Sequence, residues 1–427
     1  MVTPGLVQAD PELERGLLEL LLTDHGAAGP YEGYRWLQSR APRLRTGAGL
    51  VVLSGYRDCE AALRDRALGK ADESLGFALA AVPEELRRRA MRRFRRTMLF
   101  RNPPDHGRLR RLVSQVFTPR HVEELRASVV LRVEELLDGW VGRESVDAIS
   151  ELALPLPVGV IGDLLGVPES DRAMAAPWVR ELVAPLEPGA DATAVAAAAA
   201  AEDQLADYFT ALLADKRARP GEDLLSRLAH ARGADVLDDD ETVGTAILLF
   251  AAGFETTTNL VGNGLSALLA APAQRARLAA ETDPAKLGLA VEELLRFDAP
   301  VQTNGRTALA DTRIGDLEIH AGQVVLMLLG AGNRDPAVFS DPDRLDLTRR
   351  EGPPLSFGGG LHFCLGAPLA RLEAAEVFPR LLTRFPELAP AGDANWRRGL
   401  SFRGLATLPL HPGPVRTQNR KDSRYLS

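Results

Sequence analysis

Cys364 lies in the stretch FGGGLHFCLGAPLAR (residues 357–371), with Gly358, Gly359 and Gly360 before it, His362 close by, and Gly366 and Pro368 after it. A thiolate is a soft ligand that must lose its proton to hold iron, and nearby amide N–H groups and a helix N-terminus favour the anion. The glycines permit a tight loop whose backbone can approach a flat ligand closely. Pro368 suits the first turn of a helix continuing through LARLEAAEVF. The sulfur is therefore expected at a helix start, cradled by amides that tune the potential of any metal it holds. Most free cysteines are simply small buried hydrophobes. Cys59, in the amphipathic YRDCEAALRD, reads that way. Cys364 does not, because a core cysteine needs neither a run of glycines nor a neighbouring histidine.

Three further stretches carry polar residues at spacings that matter. AAGFETTTN (251–259) sets an acid and a hydroxyl, Glu255 and Thr256, behind Gly253 inside a long apolar run. Such residues are poor formers of a core helix, and the hydroxyl can bond back to a carbonyl and bend it. Ordinary structure accounts for any one of them alone. In EELLRFDAP (292–300), Glu293 and Arg296 stand three apart on one helix face, the spacing of a simple surface pair. NPPDHGRLRRLVSQVFTP (102–119) opens with Asn102 and two prolines, a helix-start signal. His106 and Arg110 then share a face, while Arg108 and Arg111 read as a solvated basic side.

These motifs need a frame. Apolar residues recur three and four apart in PWVRELVAPL, AEDQLADYFTALLADKRA and LAVEELLRF, which predicts helices. Strand-like runs are short: LVVLSG (50–55), GDLEIHAGQVVLMLL (315–329) and GLATLPL (404–410). The expected fold is mainly α with small β-sheets, without internal repeats. Residues 331–356, rich in Pro, Gly and Asp, form a long irregular stretch of a kind uncommon without a task. The alanine run 194–201 reads as plain helix. At 427 residues, 45% hydrophobic and 26% charged, the chain suits a soluble protein with a large core. A net charge of −7 gives no reason to expect nucleic acid or an anionic membrane as partner. Arginine is nevertheless dense in RRRAMRRFRR (87–96) and RLRRL (108–112), leaving room for a local basic patch. Two cysteines make no disulfide framework, and the N-terminus lacks a signal-peptide pattern. No apolar run approaches the roughly 20 residues that span a bilayer. A cytoplasmic location is expected.

In this order, the four stretches resemble those of the cytochrome P-450 family. The pattern Phe-Gly-x-Gly-x-His-x-Cys-x-Gly is complete at Phe357, Gly358, Gly360, His362, Cys364 and Gly366. Ala252, Gly253, Glu255 and Thr256 match the family's Ala/Gly-Gly-x-Asp/Glu-Thr, and Glu293 and Arg296 its Glu-x-x-Arg. The resemblance covers roughly residues 30–410. It implies a triangular helical prism, with haem b buried between an oxygen-binding helix and the cysteine loop. Cys364 would be the axial thiolate that promotes O–O cleavage, with Phe357 shielding the sulfur. Gly253 would open the helix so that dioxygen fits. Thr256 and Glu255, with waters, would supply the protons that dioxygen activation consumes. His106, Arg110, Arg306 and His362 would hold the haem propionates through charge-assisted bonds. Glu293 and Arg296 would be a buried pair tied to 331–356, structural in role. Asn102, Gly332 and Leu345 depart from commoner residues and bear only on loop packing. The implied division is an N-terminal extension (1–28), one domain with a β-rich N-terminal part and a helical bulk (29–411), and a flexible tail (412–427), acting as a monomer.

On the same resemblance, the reaction inserts one atom of O2 into a C–H bond or alkene of an apolar secondary metabolite. A polyketide, macrolide or terpenoid is expected, free or tethered to a carrier protein. Electrons would come ultimately from NAD(P)H through a ferredoxin reductase and an acidic ferredoxin meeting Arg108 and Arg111. Substrate contacts fall on the loop around 70–97, the helices near 170–195, and Leu248, Leu249, Ala252, Val301, Gln302, Thr303 and Phe402. Gln302 and Thr303 could orient a polar group. Competing readings are the same haem fold performing oxidative coupling, desaturation or peroxide-driven oxidation, and a non-catalytic haem protein that binds a ligand. The Glu255–Thr256 pair argues against the last, since a sensor needs no proton relay.

Overall fold

A capping box starts the longest helix: Asp238 accepts from the Glu241 amide, and the Glu241 carboxylate accepts from that of Asp238. Asp239, Asp240 and Glu241 then complement its positive end. The helix Asp239–Ala270 runs for 32 residues, roughly 48 Å. It is apolar nearly all round because it is buried on nearly every side. The helices Pro155–Leu165, Ala192–Ala218, Pro284–Phe297 and Ala367–Arg384 pack around it. Phe209, Phe250 and Phe254 meet edge to face at the centre, with ring centroids 5.9 and 5.4 Å apart. The computed structural model describes residues 7–8, 11–71, 82–231 and 237–415.

A six-stranded sheet flanks the helices, in the order Val7–Gln8, Arg43–Arg45, Val51–Leu53, Val324–Leu328, Thr303–Ala308 and Leu68–Gly69. Its register sets Val51 beside Val325 in parallel and Arg306 beside Val325 antiparallel. The other strands form a three-stranded sheet and two hairpins. One of these pairs Asn395–Trp396 with Leu405–Thr407. The apolar run 315–329 divides into two strands, Leu317–Ile319 and Val324–Leu328, at a turn containing Gly322.

The stretch 333–359 holds neither helix nor strand, yet its backbone is not left to water. Glu293 and Arg296, both side chains 1% exposed, form a bidentate pair at 2.7 and 2.9 Å. Arg296 also donates to the carbonyls of Asn333 and Pro342, each at 2.9 Å. Glu293 accepts from the Asp346 amide at 2.9 Å. Arg334 lies over the rings of Tyr31 and Phe297, at 3.8 and 4.2 Å. Side chains thus do here what a hydrogen-bonded ladder does elsewhere.

Two expectations change. Within the stretch assigned to an N-terminal extension, residues 11–22 form a helix whose Leu13, Leu17, Leu20 and Leu21 are buried in one cluster with Tyr31, Tyr34 and Leu37. This segment shares the core. The dense arginines are also less available than their number suggests. Arg89 and Arg93 pair with Asp203, and Arg96 with Asp238 and Asp240. Arg108 holds both carboxylate oxygens of Glu241. Such pairs contribute about 0–1 kcal/mol each, but they cancel much of the local charge. Among the described residues, no helix is long and apolar enough to cross a membrane. Residues 416–427 of the expected tail lie outside the described residues.

Candidate active site

The cysteine loop turns through Gly358 and Gly360, both left-handed with φ of 67° and 62°. A Cβ on Gly360 would stand 2.4 Å from the Leu63 carbonyl oxygen, so backbone packs directly on backbone. The Cys364 amide donates to the Phe357 carbonyl at 3.0 Å. Its sulfur lies beside the amides of Gly366 and Ala367, which favour the thiolate, where the helix Ala367–Arg384 begins with Pro368 in its first turn. Cys364 opens onto accessible space, unlike buried Cys59. Desolvation pushes its thiol up, while those amides, Arg110 and Arg371 favour the anion. The Arg371 guanidinium lies 4.4 Å from the centre of the Phe357 ring.

Beside the loop is a basic cluster. His106 and His362 meet edge to face with centroids 4.6 Å apart. Arg110 donates to the Phe363 carbonyl at 2.8 Å, and Arg306 bonds Asn304 and the Gly305 carbonyl. Lys70 joins them, donating to the Gly305 carbonyl at 2.9 Å, its own main chain clasped by the Asn102 side chain. Asn102 therefore pins a neighbouring strand end instead of capping the helix, which starts at Asp105. Burial lowers the pKa of Arg306 to about 10 and holds Lys70 well below the lysine range, with Arg306 adding repulsion. His362 is driven down to about 2 by burial and by Arg306, Lys70, His106 and Arg110. None of these five residues takes part in an ion pair among the described residues. Both ring nitrogens of buried His106, and Nε2 of His362, lack a partner. Desolvated cations and orphaned donors without an acid are costly. The donor set fits a buried group carrying two carboxylates, as haem does.

Lys70 also lines a cavity of about 520 Å³. One stripe of the Asp239–Ala270 helix faces it: Leu248, Ala251, Ala252, Glu255 and Thr256. The Thr256 hydroxyl donates back to the Ala252 carbonyl at 3.1 Å. Glu255 is buried, with Oε1 held by Arg397 and Oε2 without a partner. Arg397 also bonds Asn259 one turn along. Val301, Thr303 and Phe402 line the cavity as expected. So do Phe94 and, from the other expected segment, Leu186 and Pro188, while residues 72–81 lie outside the described residues.

Three residues stand elsewhere. Leu249 is buried but off the stripe: one residue on from Leu248 turns the side chain about 100° round the helix, away from the cavity. Gln302 is fully buried, accepting from Tyr34 at 3.0 Å and donating to the Ala299 carbonyl at 2.8 Å. Gly253 turns away from the cavity. A Cβ on it would stand 2.6 Å from Ile161 Cγ1, so its missing side chain admits the Pro155–Leu165 helix. This glycine is not among the residues lining the cavity. Sequence reasoning missed Lys70, which no motif marks, and the wall formed by Leu18, Leu21 and Leu22.

Residues 189–405 match the family profile described as Cytochrome P-450. Over 424 residues, 95% of both chains, the sequence is 38% identical to cytochrome P-450 monooxygenase PikC of Streptomyces venezuelae. The chain belongs to the cytochrome P-450 family. This P-450 is also 38% identical to 6-deoxyerythronolide B hydroxylase of Saccharopolyspora erythraea, over 89% of its own length and 95% of the relative's. Its fold matches P450BioI, solved in complex with hexadec-9Z-enoic acid ligated acyl carrier protein, at a TM-score of 0.82 and 35% identity, over 90% of this chain and 98% of that one. The family holds haem through a cysteine thiolate and uses O2. The chain is a monooxygenase of that kind, and its relatives in general draw electrons from redox partners.

Proposed function

We propose that this P-450 hydroxylates a C–H bond or epoxidises an alkene of an apolar, medium-sized secondary metabolite of polyketide, macrolide or terpenoid type. One observation carries the reading: Glu255 and Thr256 line the same cavity as Leu248, Ala252, Val301 and Phe402. An acid and an alcohol therefore face the same apolar space as the substrate. When bound, the haem supplies the redox chemistry that splits O2 between product and water. Cys364 is the residue that would hold its iron, at a helix start whose Gly366 and Ala367 amides, with Arg110, favour the thiolate. Lys70, His106, Arg110, Arg306 and His362 would receive its carboxylates. The Thr256 hydroxyl and the unpartnered Oε2 of Glu255 are the groups that hold and move protons at the cavity. Arg397 fixes the other oxygen of Glu255 and so aims the free one. The leucine and phenylalanine walls exclude water and seat an apolar skeleton. Thr303, bonded to Ser401 at 2.9 Å, replaces Gln302 as the group that orients a polar substituent.

Electrons come from NAD(P)H through a ferredoxin reductase and a ferredoxin, and the enzyme works as a cytoplasmic monomer. Glu241 already neutralises Arg108, so ferredoxin attraction rests less on that residue than the sequence suggests. The likeness to a 6-deoxyerythronolide B hydroxylase supports the substrate class. The likeness to a P-450 solved with an acylated carrier protein supports a tethered alternative to a free substrate. The test is turnover of a panel of macrolactones and acyl carrier thioesters with ferredoxin, reductase and NADPH under isotopically labelled dioxygen. One labelled oxygen in the product is expected. Unlabelled product would mean coupling or desaturation instead.

A further inference from the structure

Residues 184–191 connect the helices Glu169–Val183 and Ala192–Ala218, and Pro185, Leu186, Pro188 and Gly189 line the cavity. Ser401 and Phe402 form the adjoining wall. Among the described residues, every hydrogen bond tying this connection across to another part of the fold runs through one side chain. The Glu187 carboxylate accepts from the Leu400 and Ser401 amides on one oxygen, at 2.8 and 2.7 Å. Its other oxygen accepts from Phe402 at 2.8 Å. Three successive amides thus form a concave nest around one carboxylate, bonds stronger than those between neutral partners. Gly399, just before the nest, has φ of 118°, and a Cβ there would lie 2.7 Å from Glu187 Cδ. Only glycine meets both demands.

The same connection borders the cavity's way out. Leu18 and Leu22 line the cavity yet are 54% and 59% exposed. A Cβ on Gly189 would stand 2.9 Å from Leu22. The N-terminal helix and the connection therefore meet where the cavity reaches the surface.

We propose that Glu187 is a latch: by holding 184–191 to Leu400–Phe402 it sets how fast a ligand enters and leaves the cavity. This is a positioning role, separate from the chemistry of Glu255 and Thr256. Releasing one carboxylate frees two walls at once.

The test uses the haem-loaded enzyme with 4-phenylimidazole, whose binding shifts the Soret band. In Glu187→Ala, which removes all three bonds, association and dissociation rates both rise at least about tenfold, the effect expected from losing even one charge-assisted hydrogen bond. The Kd changes less than either rate. Carbon monoxide, small enough to pass a closed wall, binds as before. Glu187→Gln, which keeps one acceptor oxygen, falls between the two. Gly399→Ala crowds the carboxylate out without removing it and reproduces the kinetic pattern. Hydrogen exchange at the Leu400, Ser401 and Phe402 amides rises in the same order, and reads those bonds without using the cofactor. Unchanged rates and unchanged exchange in a folded Glu187→Ala overturn the proposal. A change confined to dissociation also overturns it, because that is what losing a direct ligand contact produces.

Discussion

Among the described residues the Thr256 side chain makes a single hydrogen bond, back to its own helix, so replacing it removes a hydroxyl and little else. Alanine is the best helix former, and Thr256→Ala should fold normally. Its expected defect is misdirected reducing power: NAD(P)H consumption continues, product falls by about 10²-fold, as for loss of a proton donor, and hydrogen peroxide accumulates. Parallel assays of cofactor, product and peroxide check this. Glu373 makes a different point. It is fully buried with Oε2 unpartnered, and burial raises its pKa to about 8. Unfolded, it ionises near 4.5, so between those values the unfolded chain binds fewer protons and stability falls as pH rises, by roughly 1 kcal/mol per unit. Glu373→Gln should flatten that decline, with a Tm above the parent's at pH 8 and close to it at pH 5, as calorimetry would register. Single residues were legible where a motif marked them. Gln302 was misread because strand alternation lets Val301 and Thr303 face the cavity only if the residue between them faces away. Leu249 failed for the helical counterpart of that reason. Lys70 carries no motif, and only the fold brings it to Arg306.

Between residue and molecule stand the elements. The helices could be anticipated because their apolar period persists over many turns, whereas the two- and three-residue strands carry too little pattern to place. The irregular stretch after Gly332 was recognisable as irregular, but not what holds it. That task falls to Arg296, whose guanidinium serves Glu293 and the carbonyls of Asn333, Pro342 and Arg344 together. A lysine offers one compact charge where a planar fork is needed. Arg296→Lys, which keeps the charge but loses the fork, should therefore lose roughly 1.5–3 kcal/mol, about one charge-assisted hydrogen bond. It should appear as a lower Tm and a lower Soret-to-protein absorbance ratio in purified enzyme. The helix Pro11–Leu22 gave a different lesson. Its leucines have the right spacing for one buried face, but only the folded partner, Tyr31 to Leu37, shows that this face belongs to the core.

At the scale of the whole molecule, composition promised an acidic protein with basic patches, and the structure cancels much of that contrast through paired arginines. What long-range attraction remains is screened over roughly 10 Å at 0.1 M salt. Reduction of the enzyme by an acidic ferredoxin should slow as ionic strength rises, in stopped-flow traces at constant pH. A salt-independent rate would place the encounter under shape and not charge. The family and the chemical pair were legible because iron ligation and proton transfer demand particular atoms. The cavity was legible only in part, since its walls come from nine separated parts of the chain that no local pattern joins. Two of those parts are nevertheless matched to each other, acid to amides and acid to glycine. That matching has an evolutionary consequence. Descendants can exchange most of the cavity lining piece by piece, but the segment bearing Glu187 and the one running from Gly399 to Phe402 must be inherited as a pair, because either one grafted alone meets a partner it cannot fit.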